Sequence, residues 1–354
     1  MGVQGPAARL ALLTGALPEA GRIAVLNPRD GAGLELLPPA RLHLFEPFRP
    51  DHDALAARGL AVSPAPDAAD RGAFQAAIVF LPRAKALGRA LIAEAALLLA
   101  PGAPLLVDGA RLHGVEPLLK DLGARVSVRE TVSKAHGRAA VLAAPAPDLL
   151  ADWAAADLAP APGFVTRPGV FSADAVDRGS ALLAAALPDA LPARMADLGA
   201  GWGWLGAQVL ARKGVAQLDL VEADHIALGC ARRNIADPRA VFHWADARFW
   251  RPETPLGGVV MNPPFHAGRD ADPGLGAAFI AAAAGALAPE GRLWMVANRH
   301  LPYEAVLAAH FAEARQIGLA EGFKLIEAHH PRRQPAPAAA PAGAALRRRP
   351  RRRG

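Results

Sequence analysis

Apolar residues along this chain fall into short continuous runs, separated by longer amphipathic stretches that close at glycine or proline. Short runs of this kind read as strands buried on both faces, and the stretches between them as helices. In the second half the predicted strands are 194–198, 217–222, 241–243, 258–262, 292–297 and 323–328. A helix is predicted over 204–213, where Gly214 supplies the stop. In the first half the predicted strands are 23–27, 41–45, 77–81, 104–108 and 139–143. Between the halves, repeated Ala-Pro steps over 144–168 predict a linker with a short helix at 149–158. Regular alternation of strand and helix predicts parallel sheets covered by helices.

The halves also echo each other. Leu99-Ala100-Pro101 precedes Leu105-Leu106-Val107 as Leu287-Ala288-Pro289 precedes Leu293-Trp294-Met295-Val296. Phe80-Leu81-Pro82-Arg83 stands where the second half has Asn262-Pro263-Pro264-Phe265. The expectation is an α/β protein made of two Rossmann-like domains in tandem, a duplicated fold. The first copy has no Asp-x-Gly-x-Gly-x-Gly run after its first strand and is expected to have lost its ligand site.

A length of 354 residues fits two cores better than one. The apolar stretches 91–107 and 275–289 are interrupted by Glu94, Pro101 and Gly102 or are mostly alanine, so no membrane span is expected. A single cysteine, Cys230, excludes an internal disulfide and fits a reducing, cytoplasmic setting. The formal charge of +6 is unevenly placed: residues 331–354 hold eight arginines and no acid, leaving −2 for the preceding 330 residues. This tail has little to bury and is expected to be disordered. It is either an electrostatic grip on phosphates or a solubilising extension.

The candidate chemistry begins at Asp197-Leu198-Gly199-Ala200-Gly201-Trp202-Gly203, after an apolar strand and before a helix. Gly199, Gly201 and Gly203 let the backbone turn tightly and approach a ligand. Gly201-Trp202-Gly203-Trp204-Leu205-Gly206 also matches the dinucleotide fingerprint, with Glu222 at a plausible distance. Asp197 argues against that reading, because a carboxylate ahead of the turn repels a pyrophosphate but attracts an ammonium. S-adenosylmethionine carries an ammonium and no phosphate. Glu222, closing the second strand, can accept the ribose hydroxyls, and Asp246, after the third, the adenine amino group. Trp202 and Trp204 are bulky for such a loop; they either narrow the pocket or pack, and packing is the favoured reading.

Asn262-Pro263-Pro264-Phe265 closes the fourth strand. An amino nitrogen on an aromatic base is a poor nucleophile because its lone pair is drawn into the ring. The Asn262 side-chain oxygen and the Pro263 carbonyl can each accept one of its hydrogens, favouring the tetrahedral nitrogen of the transition state. Phe265 offers a stacking face for the base. His266 is read as a polar loop residue rather than a base. No metal is expected.

Together with Pro168-Gly169-Val170-Phe171-Ser172, Asp177-Arg178-Gly179-Ser180, Val296-Ala297-Asn298, Leu301-Pro302-Tyr303 and Phe323-Lys324-Leu325, these segments make residues 168–328 resemble the bacterial small-subunit ribosomal RNA guanine-N2 methyltransferases. More broadly they resemble the methyltransferase small-domain group. The resemblance implies a degenerate methyltransferase-like domain over 1–145, a linker over 146–168 and a catalytic seven-stranded class I domain over 169–330. It further implies cofactor contacts at Asp197, Gly199, Gly201, Glu222 and Asp246, a guanine held by Asn262, Pro263 and Phe265, and Phe171 and Ser172 over the methionine end. The expected partner is ribosomal RNA or the small subunit, met by a monomer. Adenine-N6 or glutamine-N5 methylation shares the same pocket chemistry, and an RNA clamp without turnover is a further alternative.

Overall fold

The computed structural model describes residues 5–264, 266–267, 270–271 and 273–332. In the first half, α1 (Pro6–Leu13) precedes β1 (Ile23–Leu26), β2 (Leu42–Phe45), α2 (Arg49–Ala57), β3 (Ala61–Ser63), β4 (Ala76–Phe80), α3 (Lys85–Leu98), β5 (Pro104–Ala110), α4 (Val115–Gly123), β6 (Val128–Lys134) and β7 (Gly137–Ala143). The second half runs through α5 (Arg178–Ala186), β8 (Arg194–Leu198), α6 (Trp204–Leu210), β9 (Gln217–Glu222), α7 (His225–Asn234), β10 (Ala240–Trp244) and β11 (Leu256–Met261). A small hairpin of β12 (His266–Ala267) and β13 (Asp270–Ala271) follows, then α8 (Pro273–Ala286), β14 (Leu287–Asn298), α9 (Glu304–His310), β15 (Phe311–Ala320) and β16 (Phe323–Pro331).

Each half builds a seven-stranded sheet, and the two have the same topology. The orders are β3-β2-β1-β4-β5-β7-β6 and β10-β9-β8-β11-β14-β16-β15. In both, the first five strands in chain order are parallel, and the last two form an antiparallel edge pair. The inner strands are predominantly apolar because helices cover both faces, with Asp108, Asp197 and Asp219 as buried acids among them.

The duplication extends to individual hydrogen bonds. Leu26 is level with Phe45 as Leu198 is with Val221, so Asn27 matches Gly199 and Glu46 matches Glu222. Asn27 N donates to Phe45 O at 3.2 Å, and Gly199 N to Val221 O at 2.9 Å. Glu46 accepts from the Arg29 and Phe48 amides at 2.9 and 3.0 Å, as Glu222 accepts from those of Gly201 and Asp224 at 2.7 and 2.8 Å. Even the left-handed turns persist. Asn27, Arg29 and Gly31 have φ of 57°, 54° and 71°, where the second half has Gly199, Gly201 and Gly203 at 78°, 56° and 87°. What changed in the first half is the side chains. The counterpart of Asp197 is Val25, Asn27 spans to the Phe80 carbonyl at 2.7 Å, and Phe80 sits where the second half has Asn262.

The halves meet through equivalent positions. Phe48 pairs antiparallel with Asp224, with Arg49 N donating to Ala223 O at 2.8 Å and His225 N to Pro47 O at 2.9 Å. Reciprocal bonds between matching residues define a local two-fold relation. The Trp244 indole N–H reaches both Ala223 O and Pro47 O, at 2.8 and 3.1 Å, and the Arg49 guanidinium lies 4.8 Å from its ring centroid.

Several expected boundaries move. The helix expected at 149–158 is a 3-10 turn, Pro147–Trp153, whose Leu150 and Trp153 are buried in the first half's core. That part of the expected linker therefore packs as first-half structure, held also by an Arg125–Asp152 ion pair. The helix expected to run to residue 213 stops at Leu210. Three edge strands, β3, β6 and β15, lie outside the expected set. Edge positions leave Phe311 as the one buried residue in these three strands and remove the apolar run that marks a central strand.

Candidate active site

Asp197 is the penultimate residue of β8, with 1% of its surface exposed. Its Oδ2 has no partner within hydrogen-bonding geometry among the described residues, the Gly206 amide lending only a weak contact. Burial, reinforced by the nearby Glu222 charge, pushes its carboxyl up to about 8. Burial likewise pushes Glu222 up to about 7, although two backbone amides stabilise its charge. An unpartnered buried carboxylate is costly unless a cation reaches it. The site thus fits a ligand that brings a positive charge to the tip of β8.

Two adjoining cavities meet at the ends of the parallel strands, the usual ligand crevice of such a sheet. The smaller, of about 50 Å³, is lined by Phe171, Ser172, Asp177, Ser180, Asp197, Gly199, Ala200, Gly201, Trp202, Trp204, Leu205 and Asn262. The larger, of about 410 Å³, shares Phe171, Gly199, Gly201 and Asn262 with it. It adds Phe48, Pro50, Val221, Glu222, Ala223, Asp246, Ala247, Arg248, Pro263, Pro264, Leu275 and Phe279. The sequence-predicted residues Asp197, Gly199, Gly201, Glu222, Asp246, Asn262, Pro263, Phe171 and Ser172 are therefore brought together around one continuous cleft.

Gly203 lines neither cavity. It caps α6, and a Cβ there would lie 2.9 Å from Ile235 Cδ1 and 3.1 Å from Ala231, so its bareness serves the packing of α6 on α7. Trp202 is buried against Phe164, Val170 and Cys230 and also lines the smaller cavity, as Trp204 does, so it both packs and narrows the pocket. Asp246 is bound by the Arg248 guanidinium, Nε to Oδ1 at 2.9 Å, and also receives the Arg248 amide at 3.0 Å. Phe265 lies outside the described residues, as do the His266 side chain and residues 333–354.

The Phe171-Ser172 segment is shaped by its neighbours. Val170 is buried beside Trp202, and buried Thr166 donates to Ala173 O at 2.5 Å. Between these anchors Ser172 is held at φ 53°, a strained conformation for a non-glycine residue. Phe171 is left 61% exposed at the mouth of both cavities.

Asn262 follows β11, and its Nδ2 donates to Asp177 Oδ2 at 2.7 Å and to Ser180 Oγ at 2.9 Å. A carboxylate only accepts, so the amide nitrogen must face Asp177 and the oxygen must face away. Asp177 is itself fixed as the N-cap of α5, accepting from Ser180 N at 2.8 Å. Sequence reasoning assigned no role to Asp177 or Ser180. The available signal was Asp177 three residues ahead of Ser180 at a helix start, which is N-cap spacing.

The resemblance segments near the C-terminus form a brace behind the cleft. Lys324 on β16, 3% exposed, donates to Leu301 O at 2.6 Å and pairs with Glu304 at 2.5 Å. Tyr303, 1% exposed, packs so closely on Gly276 of α8 that a Cβ there would overlap its phenol. The same helix presents Leu275 and Phe279 to the cleft. Among the described residues, no helix is long and apolar enough to cross a membrane, and no group of three or more His, Cys, Asp or Glu side chains is placed to hold a metal ion.

A seven-stranded sheet of this order, with a glycine turn after its first strand and Asn-Pro-Pro after its fourth, defines a class I methyltransferase. Residues 162–327 match the family described as "Methyltransferase small domain". The ribosomal RNA small subunit methyltransferase C of Pseudomonas paraeruginosa is 36% identical over 271 residues, spanning 73% of this chain and 80% of that protein. Its counterpart in Ectopseudomonas mendocina is 33% identical over 307 residues, covering 83% and 91%. The chain belongs to the ribosomal RNA small subunit methyltransferase C family. Among solved structures, a T. thermophilus 16S rRNA N2 methyltransferase in complex with AdoMet and guanosine superposes with a TM-score of 0.75. The two are 28% identical, over 91% of this chain and 92% of that one.

Proposed function

We propose that the protein methylates the exocyclic N2 amino group of a guanine in small-subunit ribosomal RNA, using S-adenosylmethionine. The observation that carries this reading is the fixed amide of Asn262, anchored by Asp177 and Ser180 at the junction of the two cavities. Family membership and the guanosine complex of the T. thermophilus relative support guanine over adenine or glutamine.

The donor supplies an electrophilic methyl group on a sulfonium, which leaves as a neutral thioether without acid help. Asp197 takes the donor's ammonium, Glu222 its ribose hydroxyls and Asp246 its adenine end, while Phe171 and Ser172 cover the methionine end. Asn262 Oδ1 and the Pro263 carbonyl accept the two N2 hydrogens, drawing the nitrogen toward tetrahedral geometry and freeing its lone pair. Pro263 and Pro264 stiffen the turn so that these acceptors stay aimed, and Phe265 stacks on the base. Once the N–C bond has formed, the surplus proton on nitrogen passes to solvent. Proximity of base and donor supplies much of the remaining acceleration. We place this activity in the cytoplasm, in ribosome biogenesis, and in a monomer.

The test is incubation with radiolabelled S-adenosylmethionine and undermodified ribosomal RNA, followed by nucleoside analysis. Label in N2-methylguanosine is expected. Label confined to N6-methyladenosine or to protein would replace the guanine assignment.

A further inference from the structure

The first half has lost its own site yet reaches into the second. Phe48 and Pro50 line the larger cavity together with Val221, Ala223, Leu275 and Phe279 of the second half. We propose that the first half is a working wall of the donor site, with Phe48 and Pro50 closing the nucleoside side of the cleft against the adenosyl group of S-adenosylmethionine. This rests on the donor site as assigned above.

Three observations place the wall there. The backbone of Phe48 is bridged to Asp224, two residues beyond Glu222, and Phe48 and Glu222 line the same cavity. Pro50 lines both this cavity and the neighbouring groove that also holds Asp246 and Arg248. Finally, Glu46, fully buried, grips the Phe48 amide at 3.0 Å with the carboxylate that corresponds to Glu222. A residue in the ligand-binding position of one half thus positions a wall residue for the other. An aromatic ring and a proline ring offer the adenosyl group apolar contact and a stacking face at little entropic cost, since the bridge has already fixed the backbone.

In the full chain, Phe48→Ala should weaken binding of S-adenosylhomocysteine about tenfold by calorimetry and raise KM for S-adenosylmethionine to match. The kcat at saturating donor and the KM for RNA should stay near parental values, a split that general loosening of the fold would not give. Phe48→Leu should recover most of the affinity. Pro50→Ala leaves the bridge and Phe48 in place and should cost about threefold; it serves where Phe48→Ala fails to fold. Parental affinity in the variants, alongside lost binding in Glu222→Ala, overturns the wall and leaves the donor site standing. Parental affinity in the Glu222 variant as well places the donor elsewhere, and both assignments fall.

Discussion

Asp177 turns Asn262: its Oδ2 takes the Asn262 amide nitrogen at 2.7 Å and so decides which way the side-chain oxygen points. Asn262→Ala should therefore slow methyl transfer about a hundredfold or more, with donor affinity near parental, if the acceptor acts on the reacting nitrogen as proposed. Asp177→Ala keeps the acceptor but releases its aim. We expect kcat to fall about tenfold to a hundredfold, with a stability loss of about 1 kcal/mol from the missing helix cap. Single-turnover rates and donor titrations on both variants decide it; parental turnover in either removes that residue from the mechanism.

With the donor's ammonium on Asp197 as proposed, donor binding is coupled to loss of protons from Asp197 and Glu222. Free protein holds their carboxyls up to about 8 and about 7, well above their ordinary values of 3.8 and 4.5. A cation docking on Asp197 favours the ionised form, so binding at pH 6.5 should release protons, and affinity should rise between pH 6 and 8. For the free fold the sign is opposite to that of a salt-bridged acid. The native state holds more protons than the unfolded chain from about pH 4 to 8, and stability falls as pH rises through that window. Calorimetry in buffers of different ionisation enthalpy measures the release. Equal heats at pH 6.5, or a parental response from Asp197→Asn, would contradict it.

Much of this site is written in the chain. The strand carrying Asp197, the glycine turn and Asn262 are legible because each is a local pattern: an apolar run, a turn that needs left-handed residues, and a rigid Asn-Pro-Pro. Asp177 and Ser180 reach Asn262 across more than eighty residues of sequence. Phe48 is still farther from the pocket it lines, so no local signal ties it to the second half. The grip of Arg248 on Asp246 is likewise a side-chain choice that spacing leaves open. In β15, Glu313, Arg315 and Gln316 are exposed on an edge, and their polarity hid the strand. The worn first site kept its backbone while Asn27 and Arg29 replaced the glycines, so a search for glycines passes over it.

Gly276→Ala should push Tyr303 and α8 apart. A Cβ at this position has nowhere to go but the buried phenol. The overpacking should cost about 1–3 kcal/mol. The displaced helix carries Leu275 and Phe279, so donor KM should rise along with the loss in melting temperature. An unchanged melting temperature would mean that the brace yields freely.

Removing residues 347–353, which hold six arginines, should lower RNA affinity and flatten its salt dependence. Every phosphate of a single strand that the tail no longer neutralises takes about 0.7 from the slope of log affinity against log salt. Filter binding across a salt series measures both. Parental affinity and slope in the truncated chain would assign the tail to solubility alone.

The reciprocal pairing of Pro47–Arg49 with 223–225 is the kind of contact that two separate copies of one chain could make. Two separate copies of one ancestral chain, meeting by this handshake, would each lend a side chain to the other's active centre, and neither could decay without harming both. Joining them end to end lifts that constraint. One copy is then free to give up catalysis and keep only its service to its twin.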